Sequence, residues 1–165
     1  MEPNKNISII NQGQGQSLSI AGGSYRILVS GNQTGGSYAV IEMLVQPGAG
    51  PNPHAHPDVQ ETFYVVDGEV EFMTEEGKQL AGKGTFINIP LGGAIHCFKN
   101  RGNEVARLLC TVVPAGLDSF FQEVGKPVEA GVFLPPIPLT EAEIAKMKSI
   151  GEKFGQFFYP PNFLD

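Results

Sequence analysis

An all-β barrel or sandwich carrying short C-terminal helices is the fold class this sequence predicts, and three observations predict it. Its 21 glycines and 13 prolines fall between short runs that are apolar or that alternate apolar with polar. Those runs are rich in Val, Ile, Phe, Tyr and Thr, residues that suit a pleated, half-buried surface. After Pro114 the apolar spacing lengthens from the period of a strand toward that of a helix.

Taken in order, SLSIA, YRILVS and SYAVIEMLV read as the first strands, with GNQTGG as the turn before the third. ETFYVV and EVEFMT follow, joined at DGE by a glycine that supplies the positive φ of a hairpin. EEGKQ reads as a connector, GTFINI and AIHCFK as strands, NRGN as a turn and EVARLLCTVV as the last long strand. Turns this short make most neighbouring strands antiparallel. AGLDSFFQEVGKP predicts a short helix capped by Asp118 and ended by Gly125. LTEAEIAKMKSIGEKFG predicts a second, with Thr140 and Glu143 at capping-box spacing and a stripe of Ile144, Met147, Ile150 and Phe154 expected on the outside of the barrel. The final FGQFFYPPNFLD holds four Phe and one Tyr in twelve residues. It is too apolar to stay in water, so it should dock on this subunit or its neighbour, where it could roof a pocket.

A chain of 165 residues is long enough for one well-buried core, which predicts a single domain: a barrel over 1–113 and an extension over 114–165 packed on it. Eleven Lys and Arg against seventeen Asp and Glu give a net charge of −6, with no basic stripe to meet nucleic acid or an anionic membrane. MEPNKNISII lacks the basic and apolar regions of a secretory leader, so the expected location is cytoplasmic. Cys97 and Cys110 form neither a CxxC pair nor a disulfide framework and read as buried free thiols.

The chemistry concentrates in HAHPDVQE, residues 54–61. Alternate residues of a strand share a face, so His54 and His56 aim one way; two crowded imidazoles make poor core and good metal ligands. Pro57 and Asp58 turn the chain, after which Glu61 returns to the inward face with Phe63 and Val65 behind it. Farther on, TFINIP ends in Pro90, LGGA turns, and IHCFKN brings His96 and Phe98 to one face. Three imidazoles and a carboxylate suit a first-row divalent metal, and six-coordinate binding would leave two positions for water, substrate or dioxygen. Glu42, within the apolar run AVIEMLV, either backs a ligand imidazole or faces outward into solvent.

These motifs resemble those of the cupin superfamily. GAGPNPHAHPDVQETFYVVDG, residues 48–68, fits the first cupin motif, G(X)5HXH(X)4E(X)6G, at every fixed position. GTFINIPLGGAIHCFKN, residues 84–100, fits the second, G(X)5PXG(X)2H(X)3N, with one residue extra between Gly92 and His96; Gly93 serves as the motif glycine if the extra residue lies just after Pro90. The looser pattern from Gly15 to Val124 is similar to single-domain cupins of the quercetin 2,3-dioxygenase-like group. The resemblance implies a jelly-roll barrel and one divalent transition metal per chain, held by His54, His56, Glu61 and His96. Fe or Mn is favoured, while Ni, Co, Cu and Zn are compatible with the donor set.

It also implies a dioxygenase for a small phenolic or enolic, flavonol-like substrate, with Glu61 as both ligand and catalytic base. By alternation Phe63 and Phe98 are inward neighbours of the ligands, which makes them barrel core first and candidate pocket residues second. A metal-dependent isomerase or lyase and a non-catalytic sensing cup are the alternatives. Small molecules are the expected partners, with dioxygen as co-substrate of an oxygenase. The outward apolar faces near Tyr64 and Val66 need cover, which predicts a homodimer.

Overall fold

Period-two burial along the long strands builds the molecule in two layers. The computed structural model describes residues 5–165; the reading of MEPNKNISII as leaderless rests partly on residues 1–4, which lie outside them. The strands are β1 (Gln16–Ile20), β2 (Gly23–Val29), β3 (Ala39–Val45), β4 (His54–Ala55), β5 (Gln60–Asp67), β6 (Glu69–Thr74), β7 (Gly77–Gly82), β8 (Phe86–Ile89), β9 (His96–Lys99) and β10 (Ala106–Val113). Helix α1 (Leu117–Val124), β11 (Lys126–Val128), α2 (Glu141–Lys153) and β12 (Phe157–Phe158) complete the chain. One sheet has seven strands in the order β11-β1-β2-β3-β10-β5-β8, the other five in the order β12-β4-β9-β6-β7. Every pairing is antiparallel.

Register decides what meets inside. Ile27, Ile41, Cys110 and Phe63 lie abreast on β2, β3, β10 and β5, all buried, and the next row holds Tyr25, Met43, Leu108 and Val65. Phe98 and Phe72 face them from β9 and β6. Alternation that was legible in AVIEMLV and ARLLCTVV thus becomes a single apolar interior.

The expected strands are present, with two corrections. KQLAG, part of which reads as a connector, belongs to β7, an edge strand whose first four residues are all exposed. With neither face fully buried it has no alternation to betray it. Asp118 does not cap α1: the helix starts from Gly116, and the buried Asp118 carboxylate accepts hydrogen bonds from Gly116 N at 3.0 Å and Gly31 N at 2.8 Å. It ties the helix to the loop between β2 and β3. Gly125 ends α1 as expected, and Thr140 and Glu143 form the full capping box of α2.

The stripe on α2 docks along only half its length. Ile150 and Phe154 pack on the core cluster, whereas Ile144 is exposed. The aromatic tail docks on its own subunit as an added strand: Phe157 pairs with Ala55, Phe158 with His54, and Tyr159 N donates to Pro53 O at 2.9 Å. Among the described residues no helix is long and apolar enough to cross a membrane.

Candidate metal centre

The first motif folds as its prolines dictate. Two residues of strand carry His54, a turn at Pro57–Asp58 reverses the chain, and β5 returns Glu61 to the interior. His96 opens β9, whose register places it directly beside His54. The additional residue of the second motif is absorbed before β9 by consecutive glycines at positive φ, Gly92 at 116° and Gly93 at 82°, where a side chain would be strained. Gly92 N donates to Pro57 O at 2.9 Å, so the lengthened turn seats against the first motif and still delivers His96.

One donor atom from each of His54, His56, Glu61 and His96 lies within 4.8 Å of the others. Each imidazole is oriented by a backbone carbonyl: His54 Nδ1 to Asn52 O at 2.8 Å, His56 Nδ1 to Val59 O at 3.1 Å and His96 Nδ1 to Ala94 O at 2.8 Å. A carbonyl only accepts, so Nδ1 carries the proton in all three and Nε2 is left as the ligand atom.

That assignment tests whether a metal fits. Glu61 Oε2 lies 2.9 Å from His56 Nε2 and 3.3 Å from His96 Nε2, and all three side chains are buried. His96 Nε2 makes no hydrogen bond, the 3.3 Å approach notwithstanding. Lone pairs facing one another at this range repel unless a positive charge sits among them. A proton shared by His56 and Glu61 meets part of that need; a divalent cation meets all of it. Separations near 3 Å also suit neighbouring ligands bonded at roughly 2.0–2.2 Å to one ion. The residues present fit a transition metal.

Electrostatics agree. Burial opposes charge on Glu61, yet the hydrogen bond from His56 and the contact with His96 hold its carboxyl below the usual range. Burial, helped by His96, pushes His54 down to about 3, keeping it a neutral ligand. Burial also disfavours a charged His56, but its bond to Glu61 and that carboxylate's charge prevail and raise it.

Phe63 and Phe98 lie behind Glu61 and His96 with rings 5.5 Å apart in a T, and Phe72 stacks on His96 at 5.9 Å. Glu42 does not reach an imidazole: it faces outward and pairs with Arg26 at 3.1 Å, only 19% exposed, so it is less solvated than an outward position suggests. The buried group contacting the ligand carboxylate is instead Cys110, whose Sγ lies 3.1 Å from Glu61 Oε1. Sequence alternation marks Cys110 as inward but does not reveal its partner. Asn100, the last residue of the second motif, is a latch: Nδ2 donates to Val45 O at 2.8 Å and Glu104 O at 2.7 Å, while Oδ1 accepts from Gly102 N at 2.9 Å.

The family model of the cupin domain matches residues 41–112, the segment that carries all four of these side chains. The fold around residues 41–112 is that of a cupin domain. Over 125 residues the chain is 23% identical to the quercetin 2,3-dioxygenase of Bacillus subtilis, covering 76% of this chain and 36% of that protein; it spans about a third of the length of this curated relative. Solved structures share the cupin architecture. A polyketide cyclase, RemF from Streptomyces resistomycificus, matches with a TM-score of 0.60 and 18% identity over 84% of this chain and 90% of its own. A predicted oxalate decarboxylase from Thermotoga maritima gives 0.58 and 19% over 65% and 99%, and a cupin-superfamily sugar phosphate isomerase from Silicibacter pomeroyi gives 0.52 and 24% over 58% and 61%. At these identities the likenesses show the fold alone.

Proposed function

We propose that this cupin is a metal-dependent dioxygenase for a small phenolic or enolic, flavonol-like substrate. The observation that carries this reading is the position of Glu61 Oε2, in contact with both His56 and His96 at the centre of the histidine cluster. The sequence likeness to a quercetin dioxygenase supports the choice of reaction. His54, His56, Glu61 and His96 would hold one divalent metal, Fe or Mn first, which would supply Lewis acidity toward a substrate hydroxyl and access to dioxygen chemistry.

The chain's own part is to bind, orient and move a proton. Glu61 accepts the hydroxyl proton of the substrate at Oε2, within hydrogen-bond reach of two imidazoles, and so acts as ligand and base at different moments. Phe63 and Phe98, both buried in the core, give the site an apolar backing. His54, the least buried of the four, marks the side of entry, bordered by Phe158 at 6.4 Å between ring centroids. The exposed pair Tyr64 and Phe86, abreast on β5 and β8, is the face through which we propose that two copies associate.

Oxygen uptake tests the function, with chain loaded in turn with Fe, Mn, Co and Ni and offered flavonols and other ortho-hydroxylated phenols. At matched metal occupancy Glu61→Gln should lower turnover per metal by roughly a hundredfold or more, the scale of general-base loss. Equal rates would remove Glu61 as the base. Turnover under argon would point to an isomerase or lyase, and binding without turnover to a sensing cup.

A further inference from the structure

Cys110 sits at the centre of β10, fully buried, between Ile41 on β3 and Phe63 on β5. Nothing in a core row of this kind requires sulfur, since valine fills a similar volume. Yet its Sγ lies 3.1 Å from Glu61 Oε1, the carboxylate oxygen turned away from the histidines, while Oε2 makes the contacts to His56 and His96. Among the described residues no other side chain donates to Oε1. A carboxylate oxygen only accepts, so at this distance the S–H of Cys110 is the donor.

We propose that Cys110 is the positioning residue of Glu61: its S–H holds Oε1 aside so that Oε2 alone faces the three imidazoles. This rests on the metal reading of the site. The consequence is a carboxylate restricted to one ligand oxygen, which leaves room at the metal for substrate. A thiol suits the task because it is a weak donor. It orients the carboxylate without drawing off the electron density that makes Oε2 a base, which an ammonium or guanidinium would do.

The test uses the full chain with Cys110→Ser, which keeps a donor, and Cys110→Val, which keeps the volume and loses it. In metal-free protein the infrared S–H stretch of Cys110, isolated by subtracting the Cys110→Val spectrum, should lie at lower frequency than that of Cys97, and Cys110 in a Glu61→Ala chain should lose the displacement. With cobalt(II) bound, Cys110→Val should weaken the visible d–d band, as Oε1 joins the ion and the coordination number rises. Its affinity should fall about tenfold or more, the scale of an outer-shell loss. Cys110→Ser should stay near wild type in both. An undisplaced S–H band overturns the proposal, as does a cobalt spectrum that Cys110→Val leaves unchanged. Should Cys110→Val not fold, Cys110→Ser, which also lacks the S–H group, supplies the reference spectrum, and the Glu61→Ala comparison still decides. A displaced band in a wild-type chain that takes up no cobalt would instead overturn the metal reading, and the positioning role with it, leaving the hydrogen bond standing.

Discussion

Phe158→Ala separates a tail that walls the metal site from one that merely lies on the surface. The Phe158 ring stands 6.4 Å from His54 and 6.1 Å from Phe120, and a Cβ on Gly151 would collide with it, so helix α2 touches the ring directly. Full burial of a Phe is worth about 3–5 kcal/mol on truncation, and for this half-buried ring about 2 kcal/mol is expected. In a chain of this size that is a fall in melting temperature of roughly 4–8 °C. The same change should reach the site. His54 is held at about 3 chiefly by burial, and Phe158 is part of what buries it, so in the metal-free variant the imidazole should titrate at least about a unit higher. Urea unfolding and an NMR titration of the three histidines read both effects. Stability within about 0.5 kcal/mol of wild type, the ordinary range of a surface change, together with an unmoved His54, would refute the argument.

Purified chain reconstituted with excess metal should hold about one divalent ion, and His56→Ala or His96→Ala should weaken binding by more than the roughly hundredfold of an outer-shell loss; equal occupancy in all three by elemental analysis would defeat the ligand assignment. Asn100→Ala leaves Val45 O, Glu104 O and Gly102 N without their buried partner and should cost about 3 kcal/mol in urea unfolding, at about 1 kcal/mol per bond. Metal-free chain should lose stability on acidification: His54, lowered from 6.5 to about 3, contributes support that is complete above 6.5 and fades below it, and Glu61, also lowered, contributes support that fades below about 4.5. His56, raised by Glu61, runs the other way, its support complete below 6.5 and lost as pH rises through its folded value. Desolvation of His54 dominates the acid limb, so a drop on the order of 2 kcal/mol between pH 6.5 and 4, read by denaturant titration at each pH, is expected, and a flat profile would contradict it.

Legibility in the sequence followed burial. AVIEMLV and ARLLCTVV alternate because one face of each is sealed in the core, and they read correctly; β7 does not alternate because its first four residues face water. Capping chemistry was legible where the capping group is local, as at Thr140 and Glu143, and misled where the carboxylate is used across the fold. Asp118 looks like a cap but spends one oxygen on Gly31, 87 residues away, an acceptor role that only the packing of α1 on the β2–β3 loop creates.

The candidate centre shows the same division between local and distant causes. His54, His56 and Glu61 stand on a short segment whose strand period and Pro57 turn fix their common direction, so their convergence could be argued from residue types alone. His96 needed a second segment, and the extra residue in LGGA cast its aim as a question of turn length. The answer lies in backbone freedom: with glycine at both 92 and 93 the turn takes up one residue and still lands against Pro57. Cys110 lies beyond such reasoning. Alternation says that it faces inward, but whether it meets Phe63 or Glu61 depends on the offset between β10 and β5, which shifts at the irregularity between Arg107 and Leu108. Short of that irregularity, Cys110 stands opposite Phe63 and one row from Val112 opposite Glu61, close enough for its sulfur to reach the carboxylate diagonally. Moving the bulge past Cys110 would set the thiol opposite Tyr64, one residue farther from Glu61, which makes strand register, as much as residue identity, the determinant of how this carboxylate is held.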